Sequence, residues 1–79
     1  MSDYTVTKVL DCKGLACPMP IVKLSQEMTK LKVGDVVEML STDPGSLADV
    51  PSWAKATGQA VIENKQEGGV IHFFVKRQK

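Results

Sequence analysis

The stretch LACPMPIVKLSQEMTKL, residues 15–31, decides how the chain is read, because hydrophobic periodicity changes within it. Before it, Tyr4–Leu10 alternates: Tyr4, Val6, Lys8 and Leu10 fall on one side, and Thr5, Thr7 and Val9 on the other. With its β-branched content, that segment reads as a strand. From Pro18 onward, Ile21, Leu24, Met28 and Leu31 are spaced three, four and three, the apolar stripe of a helix that Val22 and Ser25 widen. Asp11–Gly14 is the turn between the two, and the helix is expected to stop near Leu31, ahead of Gly34-Asp35.

Downstream, Val36–Leu40 (VVEML) is a short apolar run between turn signals and reads as a buried strand. Thr42-Asp43-Pro44 predicts a helix start with Asp43 as N-cap and Pro44 at the first helical position. Asp49-Val50-Pro51 predicts a short first turn followed by a kink or a restart, because proline is poorly tolerated inside a helix. Asp49 would cap the restarted helix or contact the loop near Cys17, and Trp53 would pack in the core. Segments Ala60–Lys65 and Val70–Lys76 flank Gln66-Glu67-Gly68-Gly69, a hairpin signal.

The element order is therefore β-α-β-α-β-β. A strand–helix–strand crossover sets its strands parallel, and the terminal hairpin adds an antiparallel pair. The expected fold is α/β (α+β): a two-layer sandwich, with a four-stranded mixed sheet and both helices on one face. Ile71, Phe73 and Val75 would face the helices; Val70, His72, Phe74 and Lys76 would make a half-polar outer face. Residues 1–79 are expected to form one domain, and a chain of this size buries only about 60% of its unfolded surface.

Composition narrows the function. The chain is 43% hydrophobic and 24% charged, which suits a globular protein rather than a disordered or membrane-embedded one. A formal net charge of +1 gives no general electrostatic case for binding nucleic acid or membranes, and the basic KRQK end reads as a solvated tail. MSDYTVTKVL shows no signal-peptide pattern, and no window approaches the roughly 18 apolar residues of a membrane span. A cytoplasmic, monomeric protein is expected. Two cysteines are too few for a secreted disulfide framework, and a pair in a reducing compartment is more often reactive.

Cys17 stands directly before Pro18-Met19-Pro20. As an N-cap it would meet the amides of Met19 and Ile21, because Pro18 and Pro20 have none to offer. The helix dipole adds positive partial charge there, and cysteines at helix N-termini have lowered pKa values, which favours the nucleophilic thiolate. The residue before a proline is also driven to extended backbone, projecting Cys17 outward, while Gly14 and Ala16 leave the approach uncrowded. A small buried hydrophobe is the other reading of the same residue. Hydrolase-like Cys–His chemistry lacks support, since the lone His72 sits in the last strand as a surface residue and no oxyanion-hole motif accompanies it.

Other residues near the motif have bland and functional readings side by side. Cys12, spaced C-x4-C from Cys17, is a semi-buried thiol, a resolving partner for Cys17 or, least supported, a metal ligand; two thiols and one distant histidine make a poor zinc site, and no metal is expected. Asp11 and Gly14 shape the loop, Gly14 by a positive φ. Met19 is simply exposed or forms part of a docking patch. Lys13 and Lys23 would contribute mild positive potential.

The pattern D-x-x-G-L-x-C-P-x-P over Asp11–Pro20, including Gly14, Leu15, Cys17, Pro18, Met19 and Pro20, resembles the TusA/SirA-like sulfur-carrier family. Asp43-Pro44 and the D-[IV]-P-x-W of Asp49–Trp53 extend the resemblance over almost the whole chain. It implies a two-layer sandwich of this element order and a sulfurtransferase without its own cofactor, in which the cysteine matching Cys17 carries sulfane sulfur as a persulfide. It implies a donor, such as a cysteine desulfurase or another persulfide or thiosulfate carrier, and a downstream acceptor protein. In one branch the sulfur ends in the 2-thiouridine of tRNA; others serve sulfur oxidation, molybdenum-cofactor or selenium metabolism. Two readings from other classes stay open on the residues alone: a non-catalytic regulatory or adaptor module, and a dithiol redox protein using Cys12 and Cys17.

Overall fold

The computed structural model describes residues 5–16 and 18–79. Tyr4 and Cys17 lie outside them. Six elements follow in the expected order: β1 (Val6–Cys12), α1 (Met19–Met28), β2 (Val36–Ser41), α2 (Ser46–Thr57), β3 (Ala60–Glu67) and β4 (Val70–Lys76). They build one four-stranded sheet in the order β1-β2-β4-β3, with β1 and β2 parallel and the other neighbours antiparallel. The mixed sheet is the expected one. The β3–β4 hairpin closes on Gly68-Gly69, both at positive φ, the backbone that a two-residue hairpin turn requires.

Register assigns the faces. Val37 pairs with Val75, Met39 with Phe73 and Ser41 with Ile71, while Cys12 pairs with Ser41. Cys12, Val37, Met39, Ile71, Phe73 and Val75 join Leu24 and Met28 of α1 and Val50 of α2 in one core cluster. Both helices therefore cover the same face of the sheet, and Ile71, Phe73 and Val75 point as expected. Trp53 packs against this core and donates its indole N–H to Ser25 Oγ at 2.8 Å, pinning α2 to α1. Lys8, on the helix side of β1, reaches Glu27 of α1 at 3.6 Å.

The outer face is half polar, with one difference from expectation. His72 is not a surface residue: its side chain is 18% exposed, and its Nδ1 lies 2.8 Å from Glu38 Oε2. Phe74, on the same face, is 7% exposed, with Lys65 Nζ 5.9 Å from its ring centroid.

The helices correct two boundaries. α1 ends at Met28, and the expected end near Leu31 is a following turn in which the Leu31 amide donates to the Met28 carbonyl at 3.2 Å. α2 is a single helix that runs through Pro51, so no restart occurs at Asp49. Pro51 is its sixth residue and removes one ladder bond, that to the carbonyl of Leu47, a residue 43% exposed. Gly58 ends the helix at φ 78.

Arg77, just past β4, holds the end of α1. Its guanidinium donates from Nη1 to the Met28 carbonyl at 2.9 Å, which also takes the Leu31 amide, and to the Leu31 carbonyl in the turn beyond the helix. Charged hydrogen bonds are worth about 1.5–3 kcal/mol each, so Arg77→Met should lower unfolding stability by about that amount for the pair once shared desolvation is counted. Urea unfolding checks this; a loss under about 0.5 kcal/mol, the range of ordinary surface substitutions, would refute the capping role.

Candidate functional site

β1 and β2 are parallel and each feeds a helix, so the N-termini of α1 and α2 open at the same end of the sheet. The loop after β1 carries the motif and the loop after β2 carries Asp43. This topology brings Asp11, Gly14, Leu15, Pro18, Met19 and Pro20 to one end with the Thr42–Gly45 turn. Among the described residues no helix is long and apolar enough to cross a membrane.

The motif loop is built from short-range polar contacts. Asp11 Oδ1 accepts the Lys13 amide at 3.0 Å, and Lys13 Nζ lies 3.9 Å from Asp11 Oδ2. The Cys12 carbonyl accepts the Leu15 amide at 3.2 Å. Gly14 has φ 81, a region that only glycine adopts without cost. Leu15 is half-buried against the core, which anchors the loop from below.

α1 starts one residue later than expected. Its N-cap is Pro18, at φ −97 and ψ 11, and the helix runs from Met19. The expectation of Cys17 as N-cap falls on a residue outside those described. Met19's amide donates to the Ala16 carbonyl at 2.9 Å and is not free for a sulfur, which corrects one of the two donors expected there. Ile21 is the other. Pro18 and Met19 are exposed, Met19 at 43%, while Pro20 is buried and wedges the first turn against the fold. No acidic residue occupies the first turn of α1, so its positive end carries no carboxylate of its own.

Cys12 is deeper than expected. It is fully buried in the core, and burial pushes its thiol above the ordinary value; Lys23 pulls it partly back and Asp11 pushes it further up. Lys23 thus acts on Cys12, and Lys13 is committed to Asp11.

Asp43 does not cap α2 itself. Gly45 occupies the N-cap position, and Asp43 Oδ1 accepts the Gly45 amide at 3.1 Å. The reason is an extra turn: the Ser46 amide donates to the Asp43 carbonyl at 3.0 Å and the Leu47 amide to the Pro44 carbonyl at 3.1 Å, before the helix proper. Asp49 lies in the first turn of α2, where its charge suits the dipole.

Three hydroxyls beside the motif were missed by reading the sequence. Thr42 Oγ1 accepts the Gly14 amide at 2.9 Å, Ser41 Oγ and Ser46 Oγ are 2.8 Å apart, and Ser41 Oγ accepts the Asp43 amide at 3.1 Å. The pairing of β1 with β2 is the signal that would have found Thr42, since Cys12 opposite Ser41 sets the next residues side by side. A cavity of about 180 Å³ lies elsewhere, toward the far ends of the helices, lined by Ser25, Trp53, Thr57 and Arg77 among others. Its lining includes no residue of the motif.

Comparison with known proteins agrees with this geometry. The family described as Sulfurtransferase TusA matches residues 8–77. The Sulfur carrier protein TusA of Allochromatium vinosum is 41% identical over 77 residues, covering 98% of this chain and 99% of that protein. YrkF of Bacillus subtilis (strain 168) is 49% identical over 71 residues, 90% of this chain, which spans only 38% of YrkF's length. The crystal structure of a SirA-like protein from Desulfitobacterium hafniense superposes with a TM-score of 0.80 at 23% identity, covering 91% of this chain and 99% of that one, and so shares its fold. On the family match and the full-length likeness to TusA, this chain belongs to the TusA sulfurtransferase family.

Proposed function

We propose that the protein is a sulfur carrier that holds sulfane sulfur as a persulfide on Cys17 and passes it to an acceptor protein. The observation that carries this reading is the setting of the residues on either side: exposed Ala16, Pro18 and Met19 at the positive end of α1, with no acidic residue in its first turn. Likeness to proteins named sulfur carriers supports it.

In the proposed step, the Cys17 thiolate attacks the outer sulfur of a donor persulfide. The donor S–S bond breaks, the donor leaves as a thiolate, and the proton of the outer sulfur travels with it to Cys17. An acceptor thiolate then attacks that outer sulfur and Cys17 leaves as a thiolate. Sulfur oxidation states are exchanged between partners, so no cofactor or external electron is needed. Thiolates attack sulfur, which is why a helix N-terminus is useful here. The donor is a cysteine desulfurase or another carrier of persulfide or thiosulfate, and the acceptor a cysteine protein of a sulfur relay such as tRNA 2-thiouridine synthesis. Both contacts are transient and therefore small.

The test is intact mass after incubation with a cysteine desulfurase and cysteine, and in parallel with thiosulfate or polysulfide. Wild type and Cys12→Ser should gain one sulfur that reductant removes, and Cys17→Ser should gain none. Sulfur retained in Cys17→Ser, or absent from folded, reduced wild type with every donor, would overturn the proposal.

A further inference from the structure

We propose that Thr42 is a positioning residue for Cys17: its hydroxyl takes the Gly14 amide and so fixes the loop that presents the thiol. The proposal rests on Cys17 being the reacting group. Packing does little to hold this loop at its crest, because a Cβ built on Gly14 would meet nothing within 4 Å. At the crest the hold is therefore polar. Two of its bonds, Asp11 to Lys13 and Cys12 to Leu15, are internal and would move with the loop. The Gly14–Thr42 bond, at 2.9 Å, spans 28 residues of sequence and ties the loop to the end of β2.

Thr42 is itself well placed to act as a fixed post. Its neighbour Ser41 is fully buried, pairs with Cys12 in the sheet, and uses its hydroxyl to accept the Asp43 amide and to meet Ser46 Oγ at 2.8 Å. The backbone on both sides of Thr42 is thus anchored, in the sheet and at the start of α2. Without the hydroxyl, the Gly14 amide would turn to water and the loop would lose this tie to the end of β2. Preorganised geometry of this kind acts on rate more than on stability, since the thiol must be offered at one angle to two successive partners.

Thr42→Val, Thr42→Ala and Thr42→Ser test this. The readouts are the rate of Cys17 alkylation by iodoacetamide at one fixed pH, the rate of sulfur uptake by mass, and the urea midpoint. Val and Ala should slow alkylation and uptake by about three- to tenfold, the range that one lost hydrogen bond allows. Ser, which keeps the hydroxyl, should restore both rates. Thr42 is exposed, so the midpoint should move little in any of the three. Rates within twofold of wild type in Val and Ala, or a Ser variant as slow as Val, would overturn the positioning role. The alkylation arm needs no sulfur donor: a wild type that takes up no sulfur while alkylation follows the predicted order would sink the carrier reading and leave Thr42's role standing.

Discussion

Phe73→Ala is expected to lower the stability of this protein by about 3–5 kcal/mol, the usual cost of emptying a large buried aromatic site. Phe73 is 1% exposed and heads the fully buried side chains by volume. It lies on β4, one of the two inner strands, opposite Met39 of β2 and Asn64 of β3. Strands on both sides limit how far β4 can collapse into the vacated space, which places the effect toward the upper part of the range. A typical domain has about 5–15 kcal/mol in all, so the variant should be partly unfolded well below the wild-type midpoint. Urea unfolding, with an unchanged slope, measures it. A loss under about 2 kcal/mol would mean that the helix layer closes over the gap and that the core is softer than its packing implies. Phe74→Ala is the internal control: the neighbouring ring lies on the outer face beside Lys65 and should cost less.

That contrast between Phe73 and Phe74 shows what the sequence makes legible. Alternation along β4 assigns faces correctly because a strand has period two, whatever its partners. The hairpin is equally local, since Gly68-Gly69 can supply two positive φ values in succession. The proline-led start of α1 is local too, although the first helical residue shifts from Pro18 to Met19. Errors begin where the outcome depends on which strands are neighbours. His72 meets Glu38 only because β4 lies beside β2, and Thr42 meets Gly14 only because β2 lies beside β1. Nothing within either segment signals those contacts.

The proline misreading has a different cause. Proline inside a helix is judged from an average cost, but the actual cost depends on the carbonyl it deprives. In α2 that carbonyl belongs to half-exposed Leu47, near the helix start, and the buried side of the helix at Val50 and Ala54 stays intact. One continuous helix results, and Asp49 is left in its first turn instead of capping a second one. For Asp43 the competing structure is a turn: Pro44-Gly45 close it before Ser46, so the carboxylate serves the turn and not the helix.

The depth of Cys12 leads to the second large effect. In Cys17→Ser, which keeps Cys12 as its one cysteine, alkylation of the native protein should be at least about a thousandfold slower than in urea. A fully buried thiol reacts through transient opening, and native proteins open to the extent of about one part in 10³–10⁶. The pKa adds to this protection, because burial favours the neutral thiol, with Asp11 in support and Lys23 in partial opposition. The sign for stability follows. A thiol whose pKa is raised on folding contributes stability that is complete below the ordinary value of 9.0 and is lost as pH rises through the folded value. Stability should therefore fall above about pH 9, and Cys12→Ala should flatten that fall. Mass-resolved alkylation reads the first effect; a rate within tenfold of the urea-unfolded chain would show Cys12 to be available in the native state. Availability would matter to a carrier. A Cys12 thiolate attacking the inner sulfur of a Cys17 persulfide would form a Cys12–Cys17 disulfide and expel hydrosulfide, ending the relay. Burial and a raised pKa both oppose that side reaction, and the same two features speak against a dithiol redox role for the pair.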